Sequence, residues 1–258
     1  MIPKIVHYCW FGKRDKDEIS QKCMKTWKLL EISGYTFVEW NEDNFDINSN
    51  QLVNIAYQQK KYAFVADYVR IWALYNWGGI YLDTDVEVFK DFDKFLNYDL
   101  FLGMIFNCSI GTAVIGAKKN NSIMKELLNI YKKCKVNVRN TKFVIQFDDF
   151  INYIIHNNND LFTIYFCNRI SGFILNNKFK CINNVAIFPK EYFEKYTFSK
   201  KKNYCVHHAN GSWYKSDNEK RKRSAIIVNK ILGNIFYDKL RCMLKVRKLP
   251  YYYLYNKK

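Results

Sequence analysis

Several things are missing from this 258-residue chain, and each absence closes off a class of protein. No run approaches 18 consecutive apolar residues, so hydropathy predicts no membrane-spanning helix. The start, Met1-Ile2-Pro3-Lys4-Ile5-Val6, has no basic region leading into a long apolar stretch, and so reads as carrying no secretory signal. None of the eight cysteines forms a C-x-x-C pair, and zinc-ligand spacing is absent. Without a signal segment, the cysteines are expected to be buried free thiols in a reducing compartment. There is no internal repeat and no nucleic-acid-binding motif. Acids are few, 24 against 41 Lys and Arg, giving a net charge of +17. Such a charge implies a polyanionic partner: nucleic acid, an anionic membrane surface or a phosphorylated substrate. From Glu219 to Lys258 there are 12 basic residues and 2 acids, a net of +10, so more than half of the excess sits in the last forty residues.

Hydrophobic residues at 49% and aromatics at 18% allow a sizeable core, and charged residues at 25% exclude a disordered tail protein. The length fits one large domain or one domain with an appendage. Ile2–Tyr8 and Tyr35–Trp40 read as strands, separated by a helical periodicity over Asp17–Leu30 that Gly34 closes. Asn41–Asn50 is a polar turn segment. Gln51–Tyr75 reads as helical. Strands are predicted at Leu100–Phe106, Gly111–Ala117, Leu161–Gly172 and Val185–Phe188, the last ended by Pro189, and helices at Ser122–Cys134 and Phe143–Ile155. Gly111 and Gly116 would allow close backbone approach. The pair Asp148-Asp149 is a weaker acidic candidate that could face a cleft.

The chemistry gathers around Trp77-Gly78-Gly79-Ile80-Tyr81-Leu82-Asp83-Thr84-Asp85-Val86-Glu87. Two glycines turn the chain into a short buried strand that ends in Asp-X-Asp. On extended backbone Asp83 and Asp85 project to one side, making an all-oxygen corner suited to Mg²⁺ or Mn²⁺ carrying phosphate. Upstream, Asp67 and Arg70 share a helix face. Their neighbours are nearly all large and apolar, which predicts a buried helix whose charges need partners, and a polar ligand could supply them. His7 and Trp10 lie at the end of the first strand, where open α/β sheets bind ligands. They read equally as nucleotide contacts or as core residues. In Val206-His207-His208 the two imidazoles point to opposite sides, so at most one reaches a given metal. Ser212 and Trp213 add a hydroxyl and an indole donor nearby. The end of the chain, with apolar positions at helical spacing followed by Tyr251-Tyr252-Tyr253 and lysines, suits a bilayer interface.

Three segments, I-P-K-I-V-H-Y-C-W-F-G, A-D-Y-V-R-I-W-A-L-Y-N-W-G-G-I-Y-L-D-T-D-V-E and V-H-H-A-N-G-S-W, together resemble glycosyltransferase family 32, the group that includes bacterial capsular and O-antigen sugar transferases. The resemblance covers about residues 1–215, and it is distantly similar to the glucosylating domains of large clostridial toxins. It implies an α/β GT-A fold, with a Rossmann-like nucleotide-sugar-binding sheet flanked by helices over 1–215; the basic amphipathic and aromatic composition, not the resemblance, predicts a helical C-terminal appendage over 216–258. The resemblance also implies retention of anomeric configuration and Mn²⁺ or Mg²⁺ at Asp83, Asp85 and His207. Asp83 would touch the ribose as well as the metal, Asp67 and Arg70 would hold the donor sugar, and Ser212 and Trp213 would close over the diphosphate. His7, with Trp10 nearby, would face the base. Two departures stand out: Ala66 replaces the usual serine before the helix aspartate, and Glu194 follows Tyr192-Phe193 where proline is common. The expected partners are a UDP- or GDP-linked sugar, a saccharide acceptor carried on lipid, and an anionic membrane on its cytoplasmic side, with nucleic acid disfavoured.

Overall fold

The computed structural model describes residues 1–139, 142–150, 155, 158–174, 176–195, 202–209 and 236. In chain order the elements are β1 (Ile5–Cys9), α1 (Glu18–Thr26), α2 (Lys28–Ile32), β2 (Thr36–Trp40), α3 (Gln51–Gln58), α4 (Tyr62–Trp77), β3 (Gly79–Leu82), β4 (Val86–Val88), β5 (Leu100–Phe106) and β6 (Ser109–Ala117). They continue with α5 (Ser122–Lys133), β7 (Lys135–Arg139), β8 (Lys142–Gln146), α6 (Asn158–Arg169), β9 (Lys180–Ile182), β10 (Val185–Phe188), α7 (Lys190–Phe193) and β11 (Cys205–His207).

The centre is a seven-stranded mixed sheet in the order β2-β1-β3-β6-β5-β10-β9. Five strands, β2, β1, β3, β5 and β10, run one way, and β6 and β9 run against them. Strand alternation sorts the side chains into two cores. Tyr81, Leu100, Leu102 and Ile115 join α3, α4, α5 and α6 on one face. Ile80, Leu82, Phe101 and Val114 meet Trp27, Phe92, Phe95 and Phe193 on the other. Both faces being covered explains why the central strands read as continuous apolar runs. No described helix is long and apolar enough to cross a membrane.

Several expectations need correction. Leu161–Gly172 has strand composition, yet Asn158–Arg169 is a helix. Every residue from Asp160 to Phe166 is buried, so there is no polar stripe to reveal a 3.6-residue period. The described start of the Phe143–Ile155 segment is not the expected helix. It pairs with β7 as an antiparallel hairpin, and Asp148–Phe150 forms a single 3₁₀ turn. The helix expected over Asp17–Leu30 breaks at Trp27, whose indole turns inward to donate to the Val86 carbonyl at 2.8 Å. The helical region from Gln51 breaks between α3 and α4, where Lys60 takes a positive φ of 55° and Lys61 N–H closes back on the Ala56 carbonyl. Among the described residues, Cys9, Cys23, Cys108 and Cys205 are buried free thiols, whereas Cys181 is exposed. The basic tail expected over 216–258 lies outside the described residues apart from Phe236.

Candidate metal and nucleotide-sugar site

The site lies where β3 leaves the sheet. Gly79 begins that strand with φ +108°, and a Cβ there would come within 2.5 Å of the Ile5 carbonyl oxygen, so β3 can lie beside β1 only with glycine at this position. After Leu82 the chain does not remain extended. Val86 N–H bonds the Asp83 carbonyl at 3.0 Å, so Asp83 and Asp85 converge through a β-turn rather than through strand alternation. The turn is held from several directions. Asp83 N–H donates to the Ala113 carbonyl, His208 N–H donates to the Asp85 carbonyl, and the Ser20 and Thr84 hydroxyls lie 3.2 Å apart.

Behind the turn stands α4, hydrophobic on nearly all sides, carrying Asp67 and Arg70 into the core at 8% and 5% exposure. The Arg70 guanidinium lies 3.3 Å from Asp67 and 3.2 Å from Asp83, donates to the Thr112 carbonyl at 2.7 Å, and stacks over Tyr81 at 4.5 Å. Tyr81 in turn donates its hydroxyl to Asp83 Oδ1 at 3.0 Å. Burial pushes the Asp67 carboxyl up to about 6 against the pull of Arg70. Burial also raises Asp83, again opposed by Arg70. For Arg70 burial acts downward, but Asp83, Tyr81 and Asp67 outweigh it and keep the guanidinium charged. The ion pair expected on α4 is thus part of a buried network that reaches the Asp-X-Asp turn.

β11 pairs antiparallel with β4, setting His207 opposite Val86. One oxygen each from Asp83 and Asp85 and one ring nitrogen of His207 lie within 4.8 Å of one another. His208 points the other way and meets Glu87 at 2.9 Å, as expected of adjacent residues on a strand. His207 Nε2 is buried 3.4 Å from Asp85 Oδ1 and 3.9 Å from Asp83 Oδ2, in hydrogen-bond geometry to neither. Its other nitrogen, Nδ1, is 2.9 Å from Glu194 Oε2. Burial acts to lower the His207 pKa, but Asp85 and Glu194 together hold it well above the usual imidazole value. An unbonded, buried imidazole nitrogen facing two carboxylates fits a divalent cation. The donors are two hard oxygens and one borderline nitrogen, a set that suits a divalent metal ion.

His7 stands apart from this cluster. It is 1% exposed, its Nε2 pairs with the Gly78 carbonyl at 2.8 Å, and its Nδ1 accepts from the Trp40 indole at 3.2 Å. Burial lowers its pKa. Both ring nitrogens are spent inside the protein, which makes His7 a framework residue and corrects the expectation that it faces a base. Trp10 is partly exposed, with its indole donating to the Arg14 carbonyl and the Lys16 ammonium 5.5 Å from its ring centre. Ser212 and Trp213 lie outside the described residues. Asp148 and Asp149 pair with Lys135 and Arg169 on the surface and take no part in the cluster. Sequence reasoning missed Tyr81, the Thr112 carbonyl, Glu194 as a partner of His207, and Asn158, whose amide donates to the Asp67 carbonyl at 2.7 Å.

Residues 17–102 match the family model of the glycosyltransferase sugar-binding region containing DXD motif. The chain is similar to inositol phosphoceramide mannosyltransferase 3 of Schizosaccharomyces pombe, with 27% identity over 133 residues. That match covers 49% of this chain and only 36% of the relative's length. Among solved structures, a glycosyltransferase involved in glycosylation of the major capsid of PBCV-1 superposes with a TM-score of 0.45 at 14% identity, covering 86% of this chain and 98% of that one. The PaToxG glycosyltransferase superposes with a TM-score of 0.40 at 18% identity, covering 50% and 59%.

Proposed function

We propose that this chain is a metal-dependent retaining hexosyltransferase of GT-A type, moving a sugar from a nucleotide-sugar, UDP-linked by preference, to a saccharide acceptor in surface-polysaccharide synthesis. The observation that carries the reading is the convergence of Asp83, Asp85 and the unbonded His207 Nε2 inside the DXD region. These three residues would hold Mn²⁺ or Mg²⁺. When bound, the cation supplies Lewis-acid neutralisation of the charge that develops on the departing diphosphate.

The chain's own residues do the rest. Arg70 fixes the Asp83 carboxylate from behind, so that its other oxygen stays turned towards the cluster. Asp67 and Arg70 would receive the hydroxyls of the donor sugar, which are polar partners of the kind their burial calls for. Among the described residues no side chain stands out as a nucleophile, and retention follows from attack by the acceptor hydroxyl on the face the diphosphate leaves. The bond from the anomeric carbon to the diphosphate oxygen breaks, the glycosidic bond forms, and the departing phosphate takes the acceptor's proton. The net charge of +10 over Glu219–Lys258 supports peripheral attachment to the cytoplasmic face of an anionic membrane, with the acceptor carried on lipid.

Thermal unfolding against a panel of UDP- and GDP-sugars, with and without Mn²⁺, tests the donor site. A ligand that binds only the native state raises the melting temperature by mass action. A Mn²⁺-dependent rise with one nucleotide, lost in Asp85→Asn while the variant stays folded, is the expected result. An Asp85→Asn variant with full transfer activity overturns the assignment.

A further inference from the structure

Glu194 belongs to no motif singled out above, yet it is 1% exposed and pairs with His207 at 2.9 Å on the side of the ring away from Asp83 and Asp85. It caps the C-terminal end of α7, and α7 is clamped to β11. Tyr204 N–H donates to the Tyr192 carbonyl, and the Asn203 amide donates to the carbonyls of Glu191 and Lys195 at 2.8 and 2.7 Å. Room for the carboxylate comes from β6. A Cβ at Gly111 would overlap the Glu194 carboxylate, so glycine at 111 leaves the space the acid occupies. The carboxylate and its pocket are built together, from α7, β6 and β11.

A carboxylate this deep is costly unless paired, and an apolar side chain would fill the same space without that cost. The pairing is explained by what it does to the ring. A carboxylate at Nδ1 accepts from the ring, so when a cation displaces the Nε2 proton the remaining proton of His207 is held on Nδ1 and the Nε2 lone pair faces Asp83 and Asp85. That is the arrangement in which a metal-ligating histidine is oriented and made more basic by an outer carboxylate. The geometry points to Glu194 as a positioning residue that sets the tautomer and aim of His207 for divalent-cation binding. This rests on the metal site proposed above and adds a residue that the Asp-X-Asp reading does not contain.

Mn²⁺ binding to the full chain, followed by electron paramagnetic resonance with the metal alone, tests it. Glu194→Ala is expected to weaken Mn²⁺ by about 10–100-fold, and Glu194→Gln, which keeps an acceptor oxygen, by less. In a His207→Ala background Glu194→Ala is expected to cost nothing further, because the residue it acts through is gone. A merely structural role would predict the same loss in both backgrounds, and that result, or wild-type affinity in Glu194→Ala, overturns the inference. If Glu194→Ala fails to fold, Gly111→Ala displaces the carboxylate without removing it and is expected to weaken Mn²⁺ in the same direction. Unchanged affinity there overturns the inference equally. Asp85→Asn separates the two levels of the argument. Wild-type Mn²⁺ affinity in that variant removes the metal site itself, whereas loss in Asp85→Asn with none in Glu194→Ala removes only the role of Glu194.

Discussion

Replacing Arg70 should expose how much of the fold's stability is spent on the site. Its side chain is 7% exposed, and those of Asp67 and Asp83 are 11% and 17% exposed. Arg70→Ala leaves two buried carboxylates without a countercharge, a loss of about 3–5 kcal/mol. It also leaves the Thr112 carbonyl without its donor, which adds about 1–3 kcal/mol. Lysine restores the charge but not the planar fork that serves Asp67, Asp83 and Thr112 at once, so Arg70→Lys should recover roughly half of the deficit. The pH dependence gives a sharper test. The Asp67 carboxyl is raised in the fold to about 6 from an ordinary value of 3.8. The folded state therefore binds the proton more tightly than the unfolded state, and this group's contribution to stability falls as pH rises from about 4 to about 6, by ~3 kcal/mol. Without Arg70 the carboxyl is raised further, so the fall continues above pH 6 in the variant after it has ended in the wild type. The difference in unfolding free energy between wild type and Arg70→Ala should be smallest near about pH 5 and largest near about pH 8. Urea unfolding followed by tryptophan fluorescence, with chelator present, measures it. A deficit that does not change with pH, or one below about 1 kcal/mol, would refute the buried network as the reason for these residues.

Three further outcomes follow from the same geometry. Gly79→Ala places a Cβ within 2.5 Å of the Ile5 carbonyl at φ +108°, and should destabilise the fold by about 1–3 kcal/mol in urea unfolding. Trp27→Phe removes the 2.8 Å bond to the Val86 carbonyl and should cost about 1–3 kcal/mol while also weakening Mn²⁺ binding, because the same residue's N–H closes the Asp-X-Asp turn on the Asp83 carbonyl. Truncation after residue 218 removes the net +10 segment and should abolish sedimentation with anionic liposomes; unchanged binding would refute attachment through the tail.

How much of this was legible in the chain depended on whether the signal was local. β5 is read from Leu100 to Phe106 with no shift of boundary, and β10 stops at the expected proline, because a short apolar run bounded by turn residues carries its own limits. The pair Asp83 and Asp85 is legible because an Asp-X-Asp after a buried strand is a local pattern, while alternation says only that one of two adjacent histidines can face it, and the choice of His207 comes from the resemblance. α6 reads as a strand for the opposite reason. Burial on all sides erases the helical period, and an apolar run of that kind is told from a strand only by its length. The convergence of the two aspartates was expected for the wrong cause. Alternation and a β-turn both bring residues two apart to one side, and only the Val86 N–H, bonded to Asp83, tells them apart.

His7 and Glu194 mark where sequence reasoning stops, since each takes its meaning from a partner far along the chain. His7 sits at a strand end where ligands bind, and nothing near it in sequence announces that Gly78 and Trp40 consume both of its nitrogens. Glu194 showed only as an acid where the resemblance leads one to expect proline, a departure that reads locally as damage to the motif. Its sense appears when Gly111, 83 positions earlier, is seen to leave the space that the carboxylate fills, and His207, 13 positions later, to present the nitrogen it holds. A motif can name the atoms that would face a cation. What aims those atoms is a buried acid with no motif of its own, so in this fold the departure from pattern becomes part of the site.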